Sequence, residues 1–135
     1  MRNVNMSVRI GSLIMKNPVT TGSGTFGSGL QMTDYVDLRR LGAITIKGTT
    51  LTPRDGNPPP RVVESAGGII ASVGLENPGV DAVIHDILPK VAVYGTPIIV
   101  NIGGSSVEEY AAVAQQLNTR PEVDAIEINI SCPNL

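Results

Sequence analysis

Ala125-Ile126-Glu127-Ile128-Asn129-Ile130, followed at once by Ser131-Cys132-Pro133-Asn134, is the stretch that decides the fold. A short, β-branched apolar run ending in a polar loop reads as a buried strand. The loop holds the only cysteine of the chain between Asn129 and Asn134, and Pro133 stiffens the backbone behind it. In α/β proteins, ligands bind just past the carboxyl ends of parallel strands, so a thiol delivered there is placed for chemistry. It can serve as nucleophile, metal ligand or proton acceptor. A cysteine in a core is inert, and the residues alone leave both readings open.

Working back from that strand, the chain alternates. Pro97 to Asn101 reads as a strand that stops at Gly103-Gly104, and Ser105 or Ser106 caps a helix to about Leu117, with Glu108 and Glu109 near its positive end. Pro78 to Tyr94 reads as a helix, because Val80, Val83, Ile84, Ile87, Leu88 and Val91 form one apolar stripe. Pro89 lies inside it, which predicts a kink or break near Leu88. Ala43 to Lys47 is the next strand, and Tyr35 to Leu41 is expected to be a helix capped by Thr33 or Asp34 and ended by Gly42. Pro18 to Thr21 is expected to be a strand leading into Gly22-Ser23-Gly24-Thr25-Phe26-Gly27. Two hairpins complete the list: Val8 to Ile10 with Leu13 to Met15 around Gly11-Ser12, and Arg61 to Glu64 with Ile69 to Ala71 around Ala66-Gly67-Gly68.

Strand, helix, strand in repetition implies right-handed crossovers and a parallel sheet. Four such strands fit an open doubly wound sheet or the first half of a (β/α)₈ barrel. A whole barrel takes about 250 residues, so the barrel reading makes these residues the N-terminal half of a longer protein.

Composition narrows the function. With 41% hydrophobic and 16% charged residues over 135, the chain is a globular domain and not a disordered one. A net charge of -2 and only four aromatics argue against nucleic-acid binding by phosphate contact or stacking. One cysteine allows no internal disulfide framework and fits a reducing compartment. No run reaches the ~18 apolar residues of a membrane span and no signal peptide precedes the hairpin, so no membrane association is expected and the expected location is cytoplasmic.

Each expected strand ends in a small or polar group: Gly22-Ser23-Gly24, then Lys47-Gly48-Thr49-Thr50, then Asn101, then Asn129 with Cys132. Parallel strands present these ends on one rim. Small, amide, ammonium and thiol groups without an acidic cluster describe a site for a flat, electron-rich ligand. Asn offers donor and acceptor to ring edges, and Lys47 can stabilise negative charge. Blander readings stand beside these: Ser23 as a turn residue, the asparagines as strand-end caps, Lys47 as a solvated terminus, and His85 beside Asp86 as a solvated histidine. No Cys/His/Asp spacing suggests a metal site.

Six motifs in order strengthen the ligand reading. They are Lys16-Asn17-Pro18 leading into Gly22 to Gly27, Lys47-Gly48-Thr49-Thr50, Gly56-Asn57-Pro58, Pro60-Arg61, Gly74-Leu75-Glu76-Asn77-Pro78-Gly79, and Asn129 to Asn134. Together they resemble the class 1 dihydroorotate dehydrogenases, flavin enzymes of pyrimidine biosynthesis. The resemblance runs from the first hairpin to the last residue and implies that residues 1–135 are the N-terminal part of one FMN-binding TIM barrel. It implies FMN contacts from Ser23, Gly24, Lys47, Gly48, Asn101 and Asn129, and substrate contacts from Lys47, Ala71, Ser72, Val73, Gly74, Leu75, Asn129 and Asn134. Cys132 would be the base that takes the C5 proton of dihydroorotate while hydride leaves C6 for the flavin, giving orotate. Cysteine here, where class 2 enzymes use serine, points to class 1. Thr25-Phe26-Gly27 and Leu75 to Gly79 are closer to subclass 1B, which implies a homodimer of catalytic chains and a partner subunit carrying FAD and a [2Fe-2S] cluster that passes electrons to NAD. Ala71 departs from the family's usual Asn, which loses a polar contact to the pyrimidine unless Ser72 replaces it. A related enzyme acting on another dihydropyrimidine therefore stays open, and so does an inactive half-barrel, because these residues lack the later strands that would complete the flavin phosphate site.

Overall fold

In the computed structural model, which describes residues 4–132, the strands are β1 (Val8–Ile10), β2 (Leu13–Met15), β3 (Ile44–Thr49), β4 (Val62–Ser65), β5 (Gly68–Ala71), β6 (Ile98–Ile102) and β7 (Ala125–Ile128). Strands β3, β6 and β7 form one parallel sheet in that order, and β1–β2 and β4–β5 are antiparallel hairpins. The α-helices are α1 (Ser23–Phe26), α2 (Gly79–Ala82), α3 (Leu88–Ala92) and α4 (Val107–Leu117).

Two expectations need correction. Pro18 to Thr21 is not a strand: it runs parallel to β3 but makes a single bridge, Thr20 to Ala43. Threonine hydroxyls stand in for the missing ladder. Thr45 N–H donates to Thr21 Oγ1 at 2.9 Å, Thr21 Oγ1 donates to Thr45 O at 3.1 Å, and the Thr20 and Thr45 hydroxyls bond at 2.9 Å. Tyr35 to Leu41 is not a helix either. Only Leu38–Arg40 forms a 3₁₀ turn, capped by Asp37, whose carboxylate accepts from Arg39 N–H at 3.1 Å. Leu38 is its one buried side chain, too little burial to offset the cost of nucleating a longer helix.

The segment from Gly79 to Ala92 is helical throughout, with the irregularity upstream of the proline. Val83–Ile87 is a π-turn, and Leu88 N–H donates to Val83 O. Pro89 offers no N–H and its ring crowds the carbonyl four residues back, so the extra residue of the π-turn absorbs the mismatch. The stripe stays intact: Val80, Val83, Ile84, Leu88 and Val91 are buried against Ile44, Ile46, Val100 and Ile102. Truncating any of the fully buried ones, Leu88 for instance, would cost about 2–5 kcal/mol. Helix α4 begins as expected at Ser106, whose hydroxyl accepts from Glu109 N–H at 3.3 Å, while the Glu109 carboxylate accepts from Ser105 N–H at 2.6 Å.

Candidate active site

Strand side chains alternate, so the two faces of the parallel sheet differ. One face packs on the helices. On the other, Ala43, Ile99 and Ala125 meet Leu13 and Met15 of the first hairpin. The hairpin thus covers that face at the amino ends of the strands. Farther along, the same alternation turns polar, with Thr45 and Lys47 from β3, Asn101 from β6, and Glu127 and Asn129 at β7.

Strand β3 shifts register between Ile46 and Thr49, a bulge at Lys47-Gly48. A Cβ on Gly48 would lie 2.9 Å from both Asn101 Oδ1 and Leu75 Cδ1, so any larger residue would push one of these side chains aside. Lys47 is half-buried, its N–H donates to Gly27 O at 2.9 Å, and it lines a cavity of about 270 Å³ with Gly27, Ser28, Thr49, Glu76 and Asn77. Ser23 and Gly24 sit in α1 just past Thr21, and nothing lies within 4 Å of a Cβ placed on Gly22 or Gly24, which leaves that backbone open to a ligand. Asn101 is only 6% exposed and its Nδ2 donates to the Glu127 carboxylate.

At β7, Asn129 N–H donates to Ile102 O at 2.9 Å, and its carbonyl accepts from the Tyr110 hydroxyl of α4. Its backbone is therefore clamped from two elements. Cys132 is half-buried and lines a second cavity, about 440 Å³, with Gly104, Ser105, Tyr110, Asn129 and Ile130. Lys47 and Cys132 fall in separate cavities: that of Lys47 is lined also by Ile46, Val83 and Ile87 of the helix-packed side, that of Cys132 by the Gly104-Ser105 loop and Tyr110. Gly48 and Asn101 occupy the ground between. Pro133 and Asn134 lie outside the described residues.

Residues 71–75 return the chain from the second hairpin to the rim. Ala71, at the end of β5, is exposed. The Ser72 hydroxyl accepts from Asn57 Nδ2 at 2.8 Å, and Val73 O accepts from Asn57 N–H at 3.0 Å. Gly74 has φ +78°, and a Cβ there would strike Asn57 N at 2.6 Å. Leu75 follows at φ +54°, an uncommon conformation for a branched side chain. Buried Asn77 holds it in place: Nδ2 donates to Leu75 O at 2.9 Å, while Oδ1 accepts from Thr50 N–H at 3.1 Å and Gly79 N–H at 3.0 Å. Arg61 ties the hairpin base to this turn by ion-pairing with Glu76 and donating to Asp55 O at 2.6 Å. Close approach of the 56–57 and 73–77 segments is thus what their paired motifs accomplish.

Glu127, Asn77 and Tyr110 were not singled out by sequence reasoning. Alternation in Ile126-Glu127-Ile128-Asn129 was the available signal for Glu127. Asn77 lies inside the Gly74 to Gly79 motif and bonds Leu75 and Gly79 locally, but its bond to Thr50 is distant in sequence, and nothing local marks Tyr110, whose partner is Asn129. Among the described residues, no cluster of His, Cys, Asp or Glu could hold a metal ion, and no helix is long and apolar enough to cross a membrane.

Comparison with known proteins places this rim in a family. Residues 5–135 match the family profile described as dihydroorotate dehydrogenase. The chain is 51% identical over 132 residues to the protein of Desulforudis audaxviator named dihydroorotate dehydrogenase B (NAD(+)), catalytic subunit, covering 98% of this chain and 43% of the relative. It is 47% identical over 135 residues to the protein of that name from Geotalea daltonii, covering 100% of this chain and 44% of the relative. The chain therefore spans less than half the length of these curated relatives. The fold is similar to the crystal structure of a dihydroorotate dehydrogenase from Eimeria tenella in complex with ferulenol, with a TM-score of 0.73 and 25% identity over 96% of this chain and 38% of that one. By a profile match across nearly all its residues, the chain belongs to the dihydroorotate dehydrogenase family.

Proposed function

We propose that this chain is the first part of a (β/α)₈ barrel that oxidises dihydroorotate to orotate for pyrimidine biosynthesis, with FMN as cofactor and NAD as final acceptor. The observation that carries this reading is the 51% identity, over almost the whole chain, with a catalytic subunit named for that reaction and that acceptor. The word "subunit" in the relatives' names supports a partner protein. Here that is an electron-transfer subunit carrying FAD and an iron–sulfur cluster, beside a homodimer of catalytic chains.

The rim suits a flavin. Its exposed glycine backbone at Gly22 and Gly24, its buried Asn101 and its cationic Lys47 supply the donors, acceptor and charge that a flat, reducible ring needs. Ser23, Gly24, Lys47, Gly48, Asn101 and Asn129 would hold FMN, which when bound would accept the hydride from C6 of the substrate. Lys47, Asn129 and Asn134, with Ala71, Ser72, Val73, Gly74 and Leu75, would hold the pyrimidine. Cys132 would remove the C5 proton as thiolate, and the Asn129 clamp would keep its loop over the ring.

A second reading, an enzyme for another dihydropyrimidine, is favoured by one feature. Ala71 offers no amide, and the Ser72 hydroxyl is engaged by Asn57. Bleaching of the flavin absorbance by dihydroorotate separates the two readings. For the main reading, Cys132→Ala in the full-length, FMN-loaded protein should lower turnover about 10²–10⁴-fold with flavin retained. Cys132→Ser should keep a small residue of activity. Near-normal turnover in Cys132→Ala would refute the assignment.

A further inference from the structure

We infer that Glu127 is a positioning residue that locks the Asn101 carboxamide in one of its two orientations; its functional consequence rests on the flavin reading of the rim. Asn101 and Glu127 face each other across the β6–β7 ladder, and Asn101 Nδ2 donates to Glu127 Oε1. An ionised carboxylate can only accept, so the NH₂ end of the amide must be the end that faces it. The oxygen end then faces Gly48, where a Cβ would sit 2.9 Å from Oδ1.

Flipping the amide would set its oxygen against the carboxylate. Asn101 is 6% exposed while Glu127 is exposed, so water reaches the carboxylate but hardly the amide, and hydrogen bonds to a charged acceptor are the stronger kind. The lock therefore decides what Asn101 offers to a ring lying by Gly48: an acceptor oxygen, complementary to a ring N–H or a hydroxyl. Glutamine at 127 has nearly the same shape, but it can present either end and leaves both orientations open.

The test is a double-mutant cycle on FMN affinity in the full-length protein. Glu127→Gln should weaken FMN binding about tenfold. Added to Asn101→Ala it should change affinity by less than about twofold, because its effect passes through an amide no longer there. Glu127→Asp, which keeps the carboxylate, should bind FMN more tightly than Glu127→Gln, and it carries the test if the glutamine variant does not fold. An equal loss in both backgrounds, or no loss in either, would overturn the inference. Side-chain amide NMR of the flavin-free protein adds an independent arm: one Asn101 Nδ2 proton should be shifted downfield and slow to exchange, and Glu127→Gln should abolish this. Failure to bind FMN at all would sink the flavin reading, while the NMR arm would still decide the lock.

Discussion

Asn77→Ala should be among the costliest single changes in the described part of the chain. The side chain is 5% exposed and joins Thr50 after β3, Leu75 on the return from the hairpin, and Gly79 at the start of α2, beside the backbone bond from Val80 N–H to Thr50 O. The Thr50 hydroxyl donates to Thr52 O at 2.6 Å, so it accepts from Asn77 Nδ2 at 3.0 Å. Alanine orphans the N–H groups of Thr50 and Gly79 and the carbonyl of Leu75. Each buried orphan costs about 1–3 kcal/mol. Water can enter from the adjoining cavity of about 270 Å³ and satisfy part of this, so the expected loss is the lower part of the range, about 3–5 kcal/mol. Against a typical total of ~5–15 kcal/mol, that is a large fraction. Asn77→Asp keeps the acceptor but sets a carboxylate against Leu75 O, so its loss should be smaller, about 2–3 kcal/mol. Urea unfolding of the full-length protein measures both, and flavin occupancy should fall with them, because a released Leu75 can leave its left-handed conformation and move off Gly48. A loss under about 1 kcal/mol in Asn77→Ala would show that the bonds are replaced and the clamp is not needed.

Two further outcomes are expected. Gly48→Ala places a methyl 2.9 Å from Asn101 Oδ1 and Leu75 Cδ1, an overpacking of about 1–3 kcal/mol, and Asn101 cannot retreat without leaving Glu127. Its flavin absorbance per protein should drop, and wild-type occupancy with unchanged stability would contradict the close approach. Asp37 has its pKa lowered below 3.8, first by the side-chain hydrogen bond from Arg39. Its contribution to stability is therefore present above that unfolded value and is lost as the pH falls through the lower folded value. Asp37→Asn keeps a good N-cap, so the stability gap between wild type and variant, followed by urea midpoints, should close on acidification below about pH 4. A gap that widened on acidification would reverse the assignment.

Periodicity and local punctuation were enough to read most of the frame. The stripe from Val80 to Val91, the Ser106 cap, the alternation of strand and helix, and both hairpins are written within short windows, because burial of one face and satisfaction of helix ends are local demands. The same rules place Lys47, Asn101 and Asn129 at strand ends, which parallel pairing then carries to one rim. Three things were decided only when distant segments met. Threonine hydroxyls replace a strand at Thr20-Thr21 because β3 lies beside them, and the Pro89 mismatch is absorbed by a π-turn because the stripe must stay against the sheet. Tyr110 and Glu127 take their roles from partners 19 and 26 residues away, and Asn77 adds to its local bonds one to Thr50, 27 residues away. A polar side chain's function depends on which donor or acceptor it faces, and tertiary packing chooses that partner.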